Sequence, residues 1–219
     1  MAKERSGVAK APDFLFDGPN TAKLTLILAH GAGAPMDSPF METVAKGLAK
    51  GGIRVARFEF PYMAERRRTA KKRPPDSLNK LLESFRAAAR ALEGKAFAIG
   101  GKSMGGRIAS MVADEVGAKA LVCLGYPFHA PGKPPSSIKG DARTEHLRKL
   151  KTPTLILQGT RDPFGGAPNV KALKLPKTIR VHWLEDGEHS FKPRKASGRT
   201  EEENLAEAVD AAVSFLRDF

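Results

Sequence analysis

Cysteine is almost missing from this chain of 219 residues; Cys123 stands alone, which excludes a disulfide framework and a cysteine-ligated zinc site. Aromatic side chains are thin as well. With 1 Trp and 2 Tyr there are few rings on which unpaired bases could stack, so a nucleic-acid partner is disfavoured. No apolar run approaches the ~18 residues of a membrane-spanning helix, and the longest, Leu24–Ala29, falls far short. The opening MAKERSGVAK is charged and is not followed by the apolar segment of a secretory leader. The histidines are scattered without a His-x-His or His-x-x-x-His pair, and no glycine-rich loop has P-loop spacing. These absences predict a cytoplasmic protein without metal or cofactor. At about 100–200 residues per domain, the length suits one domain over residues 1–219, with 1–12 as a flexible lead.

Positive charge is plentiful. The formal net charge is +13, and most of the excess lies in residues 1–110. Its densest stretch is Glu65–Arg73 (ERRRTAKKR), closed by Pro74-Pro75-Asp76. Three readings stay open for residues 61–77: a solvated basic loop or helix start, a small cap element drawing anionic substrates through Arg66, Arg67, Arg68 and Arg73, or nonspecific nucleic-acid or anionic-membrane contact. A second cluster, Lys192, Arg194, Lys195 and Arg199, is placed to share the same face.

The chain alternates short apolar runs with helical patterns. Leu24–Ala29, Ile53–Phe60, Ala96–Ile99, Lys119–Leu124, Thr154–Leu157 and Thr178–Leu184 read as strands, with a further short one near Phe14–Phe16. Continuous apolar runs suit strands buried on both faces, as in a parallel sheet. Between them, Leu78–Leu92 and Leu205–Leu216 carry apolar residues at i, i+3, i+4, i+7, and Phe40, Val44 and Leu48 make a weaker stripe. This alternation predicts an α/β fold, whose chemistry sits at the carboxyl ends of the strands.

The loops at those ends carry the chemistry. Gly101-Lys102-Ser103-Met104-Gly105 is a G-x-S-x-G sequence between a strand and a predicted helix over Arg107–Val116. A sharp turn there projects the Ser103 hydroxyl and aims the Met104 N–H at a reacting centre. A nucleophilic serine needs a base, and the base needs an orienting carboxylate. His189, past the last predicted strand, and Asp162, in Gly159–Phe164, supply them; Asp186 is a rival acid only three residues from His189. The second oxyanion donor is expected from His30-Gly31-Ala32-Gly33, with Ala32 first and Gly33 second. His30 reads as a structural hydrogen-bonding residue, His182 as structural or exposed, and His146 as one position of a solvated helix. Tyr126, Phe128 and His129, at the start of the proline-rich segment Tyr126–Ser137, are candidates for an acyl-pocket wall, as Arg66 and Arg67 are for substrate contact.

The ordered set LAHGAG, GGKSMGG, GTRDPFG and GEHSF resembles the α/β-hydrolase superfamily. Within it, the chain is similar to the small dienelactone-hydrolase-like group, with testis-expressed and NSL-complex-type hydrolase-like proteins among its relatives. The resemblance covers about Leu24 to Phe219. It implies a single α/β-hydrolase domain, a mostly parallel sheet flanked by helices with a minimal cap, and acyl-ester hydrolysis by Ser103, His189 and Asp162. One departure is plain: dienelactone hydrolases proper use a cysteine nucleophile, and Ser103 stands here. The expected partner is a small ester or thioester, with an anionic one among the candidates. A non-catalytic module binding an anionic partner through its basic surface is the alternative. The sequence indicates no oligomeric state.

Overall fold

Seven apolar runs hydrogen-bond into one sheet in the computed structural model, which describes residues 10–130, 132–133 and 142–219. The strands are β1 (Phe14–Asp17), β2 (Thr25–Ala29), β3 (Arg54–Phe58), β4 (Phe97–Lys102), β5 (Leu121–Leu124), β6 (Thr154–Gly159) and β7 (Ile179–Leu184). Their order is β1-β3-β2-β4-β5-β6-β7. Neighbours run parallel except β1, which lies antiparallel on β3 with Phe14 opposite Phe58.

The helices are α1 (Pro39–Lys50), α2 (Pro61–Thr69), α3 (Leu78–Arg90), α4 (Met104–Val112), α5 (Ala167–Lys171) and α6 (Glu201–Leu216). Successive strand side chains point to opposite faces, so each central strand feeds two cores. Leu26 and Leu28 of β2 pack with Met41, Val44 and Leu48 of α1 and with Ala208 and Ala212 of α6. Ile27 and Ala29 face the other way, toward Phe85 and Ala88 of α3 and Ile108 and Val112 of α4. Helix α6 starts where Thr200 and Glu203 cap each other: the Glu203 N–H donates to Thr200 Oγ1 at 3.1 Å, and the Thr200 N–H donates to Glu203 Oε2 at 2.8 Å.

One expectation needs correction. The helix after Ser103 begins at Met104, ahead of the expected Arg107, because Gly105 and Gly106 are helical despite their poor propensity. Packing requires them: a Cβ on Gly105 would meet the His30 carbonyl oxygen at 2.5 Å. Residues 61–69 of the basic stretch are a helix, started by Pro61 at its first turn and anchored by buried Tyr62 and Met63. Of the flexible lead proposed over 1–12, residues 1–9 lie outside the described residues.

The direction of travel across the sheet reverses at β2 and again at β3. The chain leaves β2 for β3 in one direction and returns to β4 in the other, so α1 and α3 cover opposite faces. The crevice opened at such a reversal, outside the carboxyl ends, is where open α/β sheets bind ligands. Here those ends carry His30–Gly33 after β2 and Ser103 after β4.

Candidate active site

Ser103 sits at the turn between β4 and α4 with φ 51° and ψ −114°, a conformation L-residues rarely adopt. The turn is held from both sides: the Ser103 N–H donates to the Leu124 carbonyl at 2.9 Å, and the Arg107 N–H donates to the Ser103 carbonyl at 3.0 Å. The strain leaves the hydroxyl half-exposed and pointing at His189, whose Nε2 lies 2.8 Å from Ser103 Oγ. His189 Nδ1 lies 2.8 Å from Asp162 Oδ2. An ionised carboxylate can only accept, so Nδ1 carries the proton and Nε2 is free to accept from the serine.

Asp162 is fully enclosed and fully engaged. Its Oδ1 accepts from the Phe164 N–H at 2.8 Å, and its Oδ2 accepts from Gln158 Nε2, also at 2.8 Å. Gln158, buried at the end of β6, also accepts from the Tyr126 N–H at 2.7 Å. It therefore ties the loop after β5 to the Asp162 turn. Phe164 presents its ring edge-on to His189, 4.6 Å between centroids. Sequence reasoning passed over Gln158 and Phe164; a polar residue closing an apolar strand was the available signal for the first.

Lys102, the variable residue between Gly101 and Ser103, was also missed. It is buried, and its Nζ donates to the His189 carbonyl at 2.5 Å. The ammonium lies 5.2 Å from the Phe40 ring centroid and 5.9 Å from that of Phe191. Burial pushes the Lys102 amine down from 10.5 to about 8, against the opposing pull of Asp162 and Glu188.

On the other side of Ser103, the loop after β2 is braced from beneath. The Phe60 N–H donates to His30 Nε2 at 3.1 Å, so the His30 proton sits on Nδ1 and donates to the Gly31 carbonyl at 2.6 Å. Burial lowers the His30 pKa and keeps the ring neutral. The Tyr62 hydroxyl donates to the Ala32 carbonyl at 2.9 Å. With those carbonyls turned inward, the Ala32 and Gly33 N–H groups, like that of Met104, donate to no other group among the described residues.

The other candidates fall elsewhere. Asp186 accepts from Arg161 and Arg194, while His189 Nδ1 is engaged by Asp162. His182 lies on β7 against Glu207 at 2.9 Å. His146 is not on a solvated helix: it caps a buried cluster, 2.8 Å from Ser110 Oγ. That serine donates to its own helix at Arg107, so it accepts from His146 and is buried away from any substrate. Tyr126 and Phe128 have no exposed surface and belong to the core, so they do not form an open pocket wall. His129 is buried beside Phe164, 6.2 Å between ring centroids. Residues 131 and 134–137 of the proposed pocket wall lie outside the described residues. Arg67 is spent on Glu59 and Asp37, at 2.8 and 2.7 Å. In the second basic cluster, Arg194 is held by Asp186 and Arg199 by Glu207.

A family model described as "Alpha/beta hydrolase domain" matches residues 22–217. The chain belongs to the alpha/beta hydrolase domain family. Solved structures of similar fold surround this alpha/beta hydrolase. An alpha-beta serine hydrolase homologue from Coxiella burnetii is 19% identical, with 92% of this chain and 89% of that one covered and a TM-score of 0.69. A dienelactone hydrolase from Anabaena variabilis is 20% identical over 93% and 90% of the two chains, TM-score 0.67. An α/β serine hydrolase without a lid from Xanthomonas campestris is 18% identical over 94% and 95%, TM-score 0.65. At these identities the likeness is one of fold. It matches the single domain, with its mostly parallel sheet, described above.

Proposed function

We propose that this alpha/beta hydrolase cleaves a small ester or thioester through a covalent acyl-enzyme formed on Ser103. The observation that carries the reading is the unbroken hydrogen-bonded line from the strained Ser103 hydroxyl through His189 to the enclosed Asp162 carboxylate. A hydroxyl placed 2.8 Å from a neutral imidazole nitrogen, itself oriented by a carboxylate, is a nucleophile with its base in contact.

As Ser103 Oγ attacks the carbonyl carbon, its proton passes to His189 Nε2 and the carbonyl π pair moves to oxygen. Asp162 stabilises the imidazolium and keeps the ring from turning. The oxyanion is held by the N–H groups of Met104 and of Ala32 or Gly33, the unoccupied donors beside the serine. Collapse of this intermediate breaks the bond to the leaving alkoxide or thiolate, which takes the proton from His189. A water then repeats the sequence on the acyl-enzyme, giving the acid and restoring Ser103. The kinship with dienelactone-hydrolase-like proteins supports a small substrate, and the serine nucleophile separates this chain from cysteine-dependent members.

A fluorophosphonate probe and a p-nitrophenyl ester together test the reading. Covalent labelling at Ser103, with labelling and turnover both lost in Ser103→Ala, is the expected result. Turnover unchanged in Ser103→Ala, or folded protein that takes no label, would overturn it and favour a non-catalytic binding module.

A further inference from the structure

The basic stretch resolves into spent and unspent charges. The three arginines in the last turn of α2 all complement its dipole, and two of them have carboxylate partners. Arg67 reaches Glu59 and Asp37; Arg68 reaches Glu65 at 2.7 Å, with Arg73 3.7 Å from the same carboxylate. Arg66, Lys71 and Lys72 form no ion pair with any described residue. These three line one cavity of about 240 Å³, together with Pro35, Met63, Ala70 and the ion-paired Arg67.

The position of that cavity follows from helical spacing. Tyr62 touches the Gly31 and Ala32 carbonyls, and Arg66 lies four residues on, one turn up the same face. Pro35, three residues past Ala32, lines the same cavity. Burial governs the titration of His30 and Tyr62 beneath the loop, and both also feel the charge of Arg66. Three cations without an ion-pair partner among the described residues, together with the paired Arg67, thus line a hollow whose Pro35 belongs to the same loop as the proposed oxyanion donors Ala32 and Gly33.

We propose that Arg66, Lys71 and Lys72 form an anion subsite, and that the substrate is an ester or thioester bearing a carboxylate or phosphate several bonds from the scissile carbonyl. The inference rests on the hydrolase reading and names its substrate class. The guanidinium of Arg66 supplies a planar fork for a carboxylate or phosphate, and the two ammonium groups supply point charges at the rim. Ion pairs with partly solvated cations are individually weak and salt-sensitive, so the subsite selects among small esters and does not hold them tightly.

The test compares matched substrates. On the acyl side, mono-4-nitrophenyl glutarate is set against 4-nitrophenyl valerate; on the leaving-group side, 4-acetoxybenzoate against its methyl ester. The expected result is a kcat/KM preference of about tenfold for the charged member of at least one pair, weakening with salt. That preference should collapse in the triple variant Arg66→Gln/Lys71→Gln/Lys72→Gln. A second triple variant, Lys95→Gln/Lys119→Gln/Lys177→Gln, removes the same charge from exposed positions just before β4, β5 and β7, at the amino ends of the parallel strands. It should retain the preference, which separates a local subsite from the overall field. No preference in either pair, or equal loss in both variants, overturns the subsite while neutral-ester turnover leaves the hydrolase reading standing. Absence of any turnover, with Ser103 unlabelled by the fluorophosphonate, removes both.

Discussion

The buried ammonium of Lys102 gives the sharpest quantitative expectation. Its amine titrates at about 8 in the folded protein and at 10.5 in an unfolded chain. That displacement is equivalent to about 3 kcal/mol, at 1.36 kcal/mol per pH unit. Below pH 8 both states hold the proton, and the folded state bears the whole burial penalty. Between pH 8 and 10.5 the unfolded chain keeps a proton that the folded chain has shed, so the penalty is relieved and stability rises with pH. Methionine has nearly the shape of lysine's stem, reaches toward the Phe40 and Phe191 rings that Lys102 lies near, and carries no charge. The measurement is urea unfolding of wild type and Lys102→Met at pH 7 and pH 10, because their difference cancels every other titrating group. Relative to wild type, the variant should be at its best at pH 7 and should lose about 2–3 kcal/mol of that standing by pH 10, near 1 M in urea midpoint. The variant also leaves the His189 carbonyl without its donor, so ester turnover should fall at both pH values. A stability difference constant to within about 1 kcal/mol across this range would refute the reasoning.

Two further outcomes follow from particular contacts. Asp162→Asn places an amide where His189 Nδ1 needs an acceptor, favours the wrong tautomer, and should lower kcat by about a thousandfold or more with little change in fold, read by ester kinetics beside circular dichroism. Thr200→Ala removes half of the reciprocal cap on α6 and should cost about 1 kcal/mol, or about 2–4 °C in Tm by calorimetry, with kcat unchanged.

Much of the architecture was written in hydrophobic patterning. Leu24–Ala29 is continuously apolar because β2 is buried on both faces, and the alternation of Leu26 and Ile27 between two cores is the same fact seen from the side. The candidate site residues were legible because chain order and strand ends reduce the choices to a few loops. What escaped notice depends on partners distant in sequence. Tyr126 and Phe128 look like pocket residues on a loop, yet neighbouring elements bury them completely. Arg67 looks available until Glu59 takes up its fork and Asp37, 30 residues away, accepts from the same Nη2. His146 looks solvated until Ser110 is found beneath it. Lys102 occupies the permissive position of its motif, and only the approach of the His189 loop gives it work to do.

That approach also bears on mechanical precision. Strands β4 and β7 are separated by β5 and β6, so any shear or twist of the sheet could accumulate across three interfaces before reaching the gap between serine and imidazole. The Lys102 side chain bypasses those interfaces. It fastens the His189 backbone directly to the residue that precedes Ser103. Displacements of the sheet are then carried by Ser103 and His189 together, and one side chain helps to hold the distance between them.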